Sequence, residues 1–145
     1  SIPVNGKLMF YDSGWMEDVV QKYMRRDITK NQYNERVRTV NEFERQLRDG
    51  GYLVLKLFLD VSEETQHARL TALTDNYETE WRVTSRDIWQ HKEYKNFKEA
   101  YDAFMKKTDD VIPWHRLDST NRKVAARDAL KLVNMGAATL RTFLK

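Results

Sequence analysis

The stretch that decides the fold is Leu53-Val54-Leu55-Lys56-Leu57-Phe58-Leu59, in which every residue except the lysine is apolar. A nearly continuous apolar run of this length is typical of a strand that is covered on both faces, as in a parallel sheet. We therefore expect residues 53–59 to form a central strand. A lysine inside such a strand must pair with an acid or line a cavity, so Lys56 is either a structural ion-pair partner or a ligand contact.

Helical patterns stand on both sides of this strand. Upstream, apolar residues recur at spacings of three and four, which predicts an amphipathic helix that Thr29 could cap and that Gly50-Gly51 ends. The residues of this stripe are Tyr33, Val37, Val40, Phe43 and Leu47. Downstream, Ser62 is predicted to cap a helix that runs to about Leu73, with two acids in its first turn.

The rest of the chain continues the alternation of strands and helices. Further strands are predicted at Lys7 to Tyr11 and at Trp114 to Leu117, and further helices at Met16 to Met24 and Asn121 to Leu144. The segment Thr84-Ser85-Arg86-Asp87 resembles a capping box, and the helix that it opens carries Ile88, Phe97, Tyr101 and Phe104. Such alternation predicts an α/β domain with a parallel sheet and helices on its faces.

Composition limits the classes of function. The 145 residues suffice for one domain, and 41% hydrophobic residues with 12% aromatics argue against intrinsic disorder. The absence of cysteine excludes disulfides, thiolate nucleophiles and cysteine-rich zinc sites. His67, His91 and His115 stand far apart without ligand spacing, which predicts no metal–histidine site. No apolar run approaches the roughly 18 residues of a membrane span, so we expect no membrane partner and a cytoplasmic location.

Positive charge is concentrated near the end of the chain. The net charge is only +3, yet residues 121–145 hold six basic residues against the single acid Asp128. A locally basic face suits phosphate-rich ligands or nucleic acid, whereas a plain solvated helix face is the alternative. The basic residues of this segment are Arg122, Lys123, Arg127, Lys131, Arg141 and Lys145.

An ordered set of motifs runs through nearly the whole chain. Its first part is Asn41-Glu42-Phe43-Glu44-Arg45-Gln46-Leu47, Gly50-Gly51, Leu55-Lys56-Leu57-Phe58-Leu59, Ser62 and Gln66-His67-Ala68-Arg69-Leu70. Its second part is Trp81-Arg82-Val83-Thr84, Asp87, Tyr94, Ala100, Thr108, Pro113-Trp114 and Arg127. In order and spacing this set resembles the family-2 polyphosphate kinases, a group that includes the polyphosphate:AMP phosphotransferases. Within that group the chain is most similar to the N-terminal, less conventional domain of the two-domain enzymes.

The resemblance implies both a fold and a chemistry. The fold would be a P-loop kinase-like three-layer α/β domain with a parallel sheet, spanning residues 1–145 with a lid segment at about 74–90. The reaction would be phosphoryl transfer between polyphosphate and a nucleoside mono- or diphosphate (AMP or ADP), with Mg2+ as cofactor. Asp12, at the end of a predicted strand, would be the catalytic and metal-binding carboxylate. The implied partners are a second kinase-like domain and a further copy of the chain in a homo-oligomer, with no nucleic acid.

Phosphoryl transfer needs cations around the transferring oxygens, and the matched positions supply candidates. Those expected to bind polyphosphate or nucleotide are Lys56, Arg69, Arg82, Arg86, Lys106, Lys123 and Arg127. The alternative for each of these side chains is an ordinary solvated charge, and for Lys56 it is a structural ion pair. Trp81, in the lid, could cover a nucleotide base.

Three departures from the family pattern bear on activity. Ser13 stands where the family's Phe-Asp-Arg-Ser-Trp-Tyr segment has arginine, and Leu73 stands where a lid arginine is expected. None of the five glycines forms a G-x-x-x-x-G-K phosphate-binding loop. We therefore expect an incomplete fold, without the first strand and its loop, and a chain that alone is inactive. The alternative is a catalytically degenerate domain that scaffolds a partner or binds polyphosphate; a nucleic-acid-binding module ranks last because no recognition motif is present.

Overall fold

The computed structural model describes Lys7, residues 9–11 and residues 14–143, with side chains as far as 138. None of the described helices is long and apolar enough to cross a membrane. In chain order the elements are helices α1 (Trp15–Met24) and α2 (Lys30–Asp49), strand β1 (Lys56–Asp60), helix α3 (Glu63–Thr74), a 3-10 turn (Glu80–Arg82), helices α4 (Ser85–Lys92) and α5 (Tyr94–Lys107), strand β2 (Trp114–Asp118) and helix α6 (Arg122–Phe143).

The two strands are parallel, which confirms the expected α/β class. Their register pairs Lys56 with Trp114 at one end and Asp60 with Asp118 at the other. In the described part of the chain the sheet has two strands, so β1 has one neighbour there rather than the two of a central strand. Leu59 is 57% exposed, so the expected cover on both faces of this strand is wrong at that residue.

Helices cover both faces of the sheet. Side chains alternate along a strand, so Lys56 and Phe58 share one face. On that face Lys56 contacts α2 and the Phe58 ring lies 5.9 Å from Tyr101 of α5. Leu55, just before the strand, belongs to the other face and lies beside Gly136 of α6, where an added Cβ would clash with a leucine side chain. Helices therefore flank the sheet on both faces, as the alternation of strands and helices predicts.

One predicted strand is not observed. Lys7 and residues 9–11 are not in a strand, and Met9, Phe10 and Tyr11 are exposed. A strand requires backbone hydrogen bonds from a neighbouring strand. An apolar run therefore predicts a strand only where a neighbouring strand and a covering layer are available. The prediction of a buried strand at Lys7 to Tyr11 is therefore wrong for the residues that the structure describes; Leu8 lies outside them.

Local end signals were predicted more accurately. Thr29 forms a capping box with Gln32, and Ser62 accepts a hydrogen bond from the backbone N–H of Thr65. After α2 the chain turns through Gly51 at φ +83°, a left-handed conformation that favours glycine. Each of these signals depends on residues within four positions, which explains why sequence alone finds them.

The helix predicted to run on from Thr84 is divided into two. The expected capping box of Thr84 and Asp87 opens α4, but α4 ends at Lys92 and Glu93 leaves helical geometry at φ −101°, ψ 25°. Tyr94 begins α5 and donates a hydrogen bond from its hydroxyl to the carbonyl oxygen of Val61, directly after β1. This anchor lets α4 pack on α3 while α5 packs on α1.

A buried ion pair joins α2 to the sheet. Lys56 Nζ lies 2.9 Å from Glu44 Oε2, and the two residues are 6% and 0% exposed. The same ammonium group donates to the carbonyl oxygen of Thr108 and lies 4.7 Å from the centre of the Trp114 ring. Burial lowers the pKa of Lys56, and the attraction of Glu44 opposes this shift. The structural ion pair considered for Lys56 is thus present.

We expect removal of either partner to destabilise the fold strongly. Glu44→Leu or Lys56→Met alone leaves an unpaired buried charge, which costs about 3–5 kcal/mol of unfolding free energy. The double variant replaces both charges by apolar groups and should regain most of that loss, because a buried pair gains little over well-packed hydrophobes. Urea unfolding measures all three variants.

Glu42→Leu is the matched control for this experiment, since Glu42 is exposed on the same helix. It should change stability by less than about 0.5 kcal/mol. Single variants as stable as the control would show that the pair does not organise the fold.

Candidate functional site

The two parallel strands end side by side, at Asp60 and Asp118. In open parallel sheets ligands bind outside the carboxyl ends of the strands, where loops and helix N-termini gather. We call this region the carboxyl edge: residues 60–62 and 118–121, together with α3, the connection 75–84 within the predicted lid of about 74–90, α4 and the first turn of α6. Below, lid segment refers to residues 75–84. A candidate residue that lies at the carboxyl edge is in a position to contact such a ligand.

A cavity of about 220 Å³ opens at the carboxyl edge between α3 and α4. Much of its wall is apolar, and Arg69 is the basic residue of the lining. Leu73, which stands where an arginine was expected, forms part of this wall, so the second cation is missing from it. The lining residues are Val61, Gln66, Arg69, Leu70, Leu73, Asp87 and Gln90.

Arg69 links the cavity to the loop after β2. Its guanidinium donates to the carbonyl oxygens of Ser119 and, at 3.0 Å, Thr120. A guanidinium carries five N–H donors in a fixed plane. Arg69 can therefore hold this loop in place and still present donors to an anion in the cavity.

The first turn of α6 lies directly beyond that loop. Asn121 caps the helix, because its Oδ1 accepts hydrogen bonds from the backbone N–H groups of Lys123 and Val124 at 3.0 and 3.2 Å. Lys123 is exposed three residues after Thr120, at the same edge as Arg69. Arg127, about one turn further along, is exposed and contacts its neighbour Asp128 at 3.1 Å.

The lid segment carries exposed aromatic and basic groups. Trp81 is 73% exposed, and its Nε1 donates to the carbonyl oxygen of Glu78 at 2.8 Å. The guanidinium of Arg82 lies 5.3 Å from the centre of the Trp81 ring. Arg86, in the first turn of α4, instead pairs with Glu17 of α1 at 3.5 Å. Arg82 is therefore a cation that packs on the exposed Trp81 ring, whereas Arg86 is engaged by α1.

Two predicted phosphate ligands lie at the other end of the sheet. Lys56 is the first residue of β1, and the carbonyl of Thr108 that it contacts follows directly after α5. Lys106 stands in the last turn of that helix, two residues before Thr108. The structure therefore brings Arg69 and Lys123 together at the carboxyl edge but leaves Lys56 and Lys106 at the amino end.

Acidic groups at the carboxyl edge bear on metal binding. The backbone N–H of Thr120 donates to Asp118 Oδ1 at 2.9 Å, and hydrogen bonds from the Thr120 side chain and backbone lower the pKa of Asp118. Asp60 is instead paired with Arg116 at 3.2 Å. Mg2+ typically takes one or two carboxylates and completes its shell with water and substrate phosphates, so the exposed, ionised Asp118 fits as one ligand.

Asp12, the predicted catalytic and metal-binding residue, lies outside the described residues, so its role stays a prediction. Within the residues that the structure does describe, no group of three or more histidine, aspartate or glutamate side chains could hold a metal ion.

Sequence reasoning missed Asp118 and the polar residues of the cavity wall. The signal for Asp118 was available, because it directly follows a predicted strand, where parallel strands present their functional groups. Gln66 and Asp87 stand in the ordered motif set but received no site role, and Gln90 carried no signal, since the three come together only when α4 folds back onto α3.

Comparison with known proteins identifies relatives across most of the chain. The family model described as Polyphosphate kinase 2 (PPK2) matches residues 1–141. An AMP/ADP-polyphosphate phosphotransferase of Meiothermus ruber is 30% identical over 115 residues, which are 79% of this chain and 43% of that protein. A polyphosphate:AMP phosphotransferase of Pseudomonas syringae is 22% identical over 134 residues, 92% of this chain and 27% of that protein.

The fold agrees with a solved structure of the same kind. The crystal structure of polyphosphate kinase 2 from Arthrobacter aurescens superposes with a TM-score of 0.72 at 23% identity, over 77% of this chain and 40% of that one. This chain thus spans less than half the length of the Meiothermus ruber and Pseudomonas syringae relatives. With a family match over residues 1–141, an ordered motif set and the same fold, the chain belongs to the polyphosphate kinase 2 family.

Proposed function

We propose that this chain serves phosphoryl transfer between polyphosphate and a nucleoside mono- or diphosphate, AMP or ADP, in a P-loop kinase-like domain. The observation that carries the proposal is a pair of cations at the carboxyl edge: Arg69 lines the cavity, and the exposed Lys123 stands in the first turn of α6. The names of the two relatives, which pair polyphosphate with AMP or ADP, support the same substrates.

Phosphoryl transfer requires that the reacting groups are held in position and that their negative charge is stabilised. A transferring phosphoryl group spreads negative charge over its oxygens, and catalysis stabilises this charge with cations held in place. In our proposal Arg69 orients the phosphate nearest the cavity, while Arg82 on the lid and Lys123 on α6 hold the neighbouring phosphates. Arg127 extends this path along α6. The positive end of the α6 dipole adds a favourable field for an anion there.

A divalent cation would bridge phosphate oxygens and neutralise their charge. Asp118 and Asp12 are the carboxylates that we propose for it, and we propose Mg2+ because oxygen ligands suit that ion. Asp118 contributes a carboxylate whose pKa the hydrogen bonds from Thr120 lower further.

A second candidate function rests on Leu73. This leucine replaces a cation in the cavity wall, and an apolar wall cannot stabilise transferring phosphate oxygens. The chain would then be a catalytically degenerate domain that binds polyphosphate or scaffolds a second kinase-like domain, with a homo-oligomer as a further arrangement. Both candidates share polyphosphate binding and differ only in turnover.

We expect no measurable phosphotransfer by the 145-residue chain alone. Without a G-x-x-x-x-G-K loop, no cradle of backbone N–H groups holds the transferring phosphates, so positioning and charge stabilisation both fail. The assay incubates the chain with long-chain polyphosphate, Mg2+ and AMP or ADP, with the Meiothermus ruber relative as positive control. Turnover that is proportional to protein and lost in Arg69→Ala would contradict this expectation.

We expect polyphosphate to bind weakly and in a salt-dependent manner through the carboxyl edge. Exposed charges act over about 10 Å at 0.1 M salt, so several must cooperate. Arg82→Glu, Lys123→Glu and Arg127→Glu should each weaken binding. Each should also reduce the slope of log affinity against log salt by about 0.7, the value per contact for single-stranded nucleic acids.

Titration by fluorescence anisotropy or calorimetry measures these affinities. Lys106→Glu and Lys30→Glu are the matched controls, because both make the same charge change on exposed lysines outside the carboxyl edge. If the controls weaken binding as much as the other reversals do, polyphosphate responds only to the net charge of the protein and not to the carboxyl edge. If wild-type protein does not bind at low salt, the proposed function is wrong.

The ionisation of Asp118 should follow its contact with Thr120. The Thr120 side chain is the larger cause of the lowered pKa, so Thr120→Val should raise the Asp118 pKa towards the ordinary 3.8. Because the folded pKa is depressed, this contact stabilises the fold above that ordinary value, and the contribution disappears as the pH falls through the folded pKa. NMR titration of the carboxyl carbon measures the shift. Thr71→Val, an exposed change on α3, should leave it unmoved.

A further inference from the structure

Two of the three histidines meet on the outer side of the cavity. His67 on α3 and His91 on α4 are 24 residues apart in sequence, yet His67 Nδ1 lies 3.1 Å from His91 Nε2. Their ring centres are 5.2 Å apart, and the contact is exposed to solvent. The sequence predicted no metal–histidine site because the spacing along the chain carries no signal; the turn of α4 back onto α3 creates the pair.

A neighbouring glutamine fixes the orientation of one ring. His91 Nδ1 lies 2.9 Å from Gln66 Oε1. An amide oxygen can only accept a hydrogen bond, so His91 Nδ1 carries the proton and its Nε2 presents a lone pair towards His67. Histidines that bind metals are usually oriented in this way, with the second ring nitrogen donating to a fixed oxygen.

The separation of the two nitrogens suits a shared metal ion. Zinc–nitrogen bonds are about 2.0–2.1 Å long, and two of them at a tetrahedral angle place the nitrogens roughly 3.3 Å apart. The observed 3.1 Å needs only a small rotation of the exposed His67 ring. The proton that His67 Nδ1 donates to His91 would move to His67 Nε2, which leaves both facing nitrogens free for the metal.

We propose that His67 and His91 form a bridging site for a divalent transition metal such as Zn2+, with water in the remaining positions. Imidazole nitrogens suit Zn2+, Ni2+ and Cu2+, whereas Mg2+ prefers oxygen, so this site is separate from any magnesium used in phosphoryl transfer. No third side-chain ligand adjoins the pair within the described residues. The proposed site therefore differs from a structural zinc site with four protein ligands, and its metal is exchangeable.

The position of the site gives it a consequence for the lid. Helices α3 and α4 are the two ends of the lid segment 75–84, and both line the cavity. A metal that joins His67 to His91 would hold these helices together and restrict the segment between them. The inference does not depend on phosphoryl transfer, because it concerns metal binding and lid motion alone.

Calorimetric titration of the untagged 145-residue chain with ZnCl2, in excess Mg2+, tests the proposal. One equivalent should bind, and His67→Gln or His91→Gln should weaken binding at least about tenfold, because each variant removes a ligand. His115→Gln, a change in β2 outside the pair, is the matched control and should bind as wild type does. Gln66→Ala should weaken binding about tenfold, while Gln66→Glu should strengthen it more than Gln90→Glu does.

Two readouts on the wild-type chain avoid reliance on variants that fold poorly. Zn2+ should shift the NMR signals of the His67 and His91 rings but not those of His115. It should also slow amide hydrogen exchange in residues 76–83. Absence of binding, equal binding by His67→Gln, or shifts confined to His115 would each overturn the proposal.

Discussion

The buried pair of Glu44 and Lys56 is the interaction on which the rest of the structure depends. It joins the middle of α2 to the first residue of β1, and the same ammonium group reaches the carbonyl oxygen of Thr108 after α5. Trp15 of α1 adds a hydrogen bond at 3.4 Å from its Nε1 to Glu44 Oε1. One desolvated charge pair therefore sets the positions of three helices and one strand. It also closes the amino end of the sheet and leaves the carboxyl edge available for ligands.

This arrangement separates structural charge from functional charge. A buried charge must be paired, and a paired, desolvated lysine cannot serve a mobile anion without leaving its partner unpaired. Lys56 is committed in this way at the amino end. Arg69 is half-buried and Lys123 exposed at the carboxyl edge, where their donors remain accessible to a ligand. The two ends of the same short sheet thus have different roles, because they differ in burial rather than in residue type.

How well a feature can be predicted from sequence depends on how far apart along the chain the residues that form it lie. Thr29 and Ser62 as caps were predictable because they act within four residues, and the parallel pairing of β1 with β2 follows from the alternation of elements. The partner of Lys56, an acid or a ligand, was not predictable, since Glu44 reaches it from another element. The contact of His67 with His91 was hidden for the same reason. The segment from Lys7 to Tyr11 shows the opposite error, where a local apolar pattern predicted a strand that its described residues do not form.

Binding a polyanion and transferring a phosphoryl group need different degrees of order. Exposed cations attract a polyanion across about 10 Å at moderate salt, so Arg82, Lys123 and Arg127 can contribute without exact placement. Transfer instead requires reacting atoms about 3–3.5 Å apart and donors aimed at the oxygens that gain charge. Leu73, where the family resemblance predicts an arginine, offers no such donor to the cavity, whereas Arg69 lines the same cavity. Under the proposed function, polyphosphate binding is therefore less sensitive to such substitutions than transfer is, so binding and turnover must be measured separately to distinguish an enzyme domain from a binding domain.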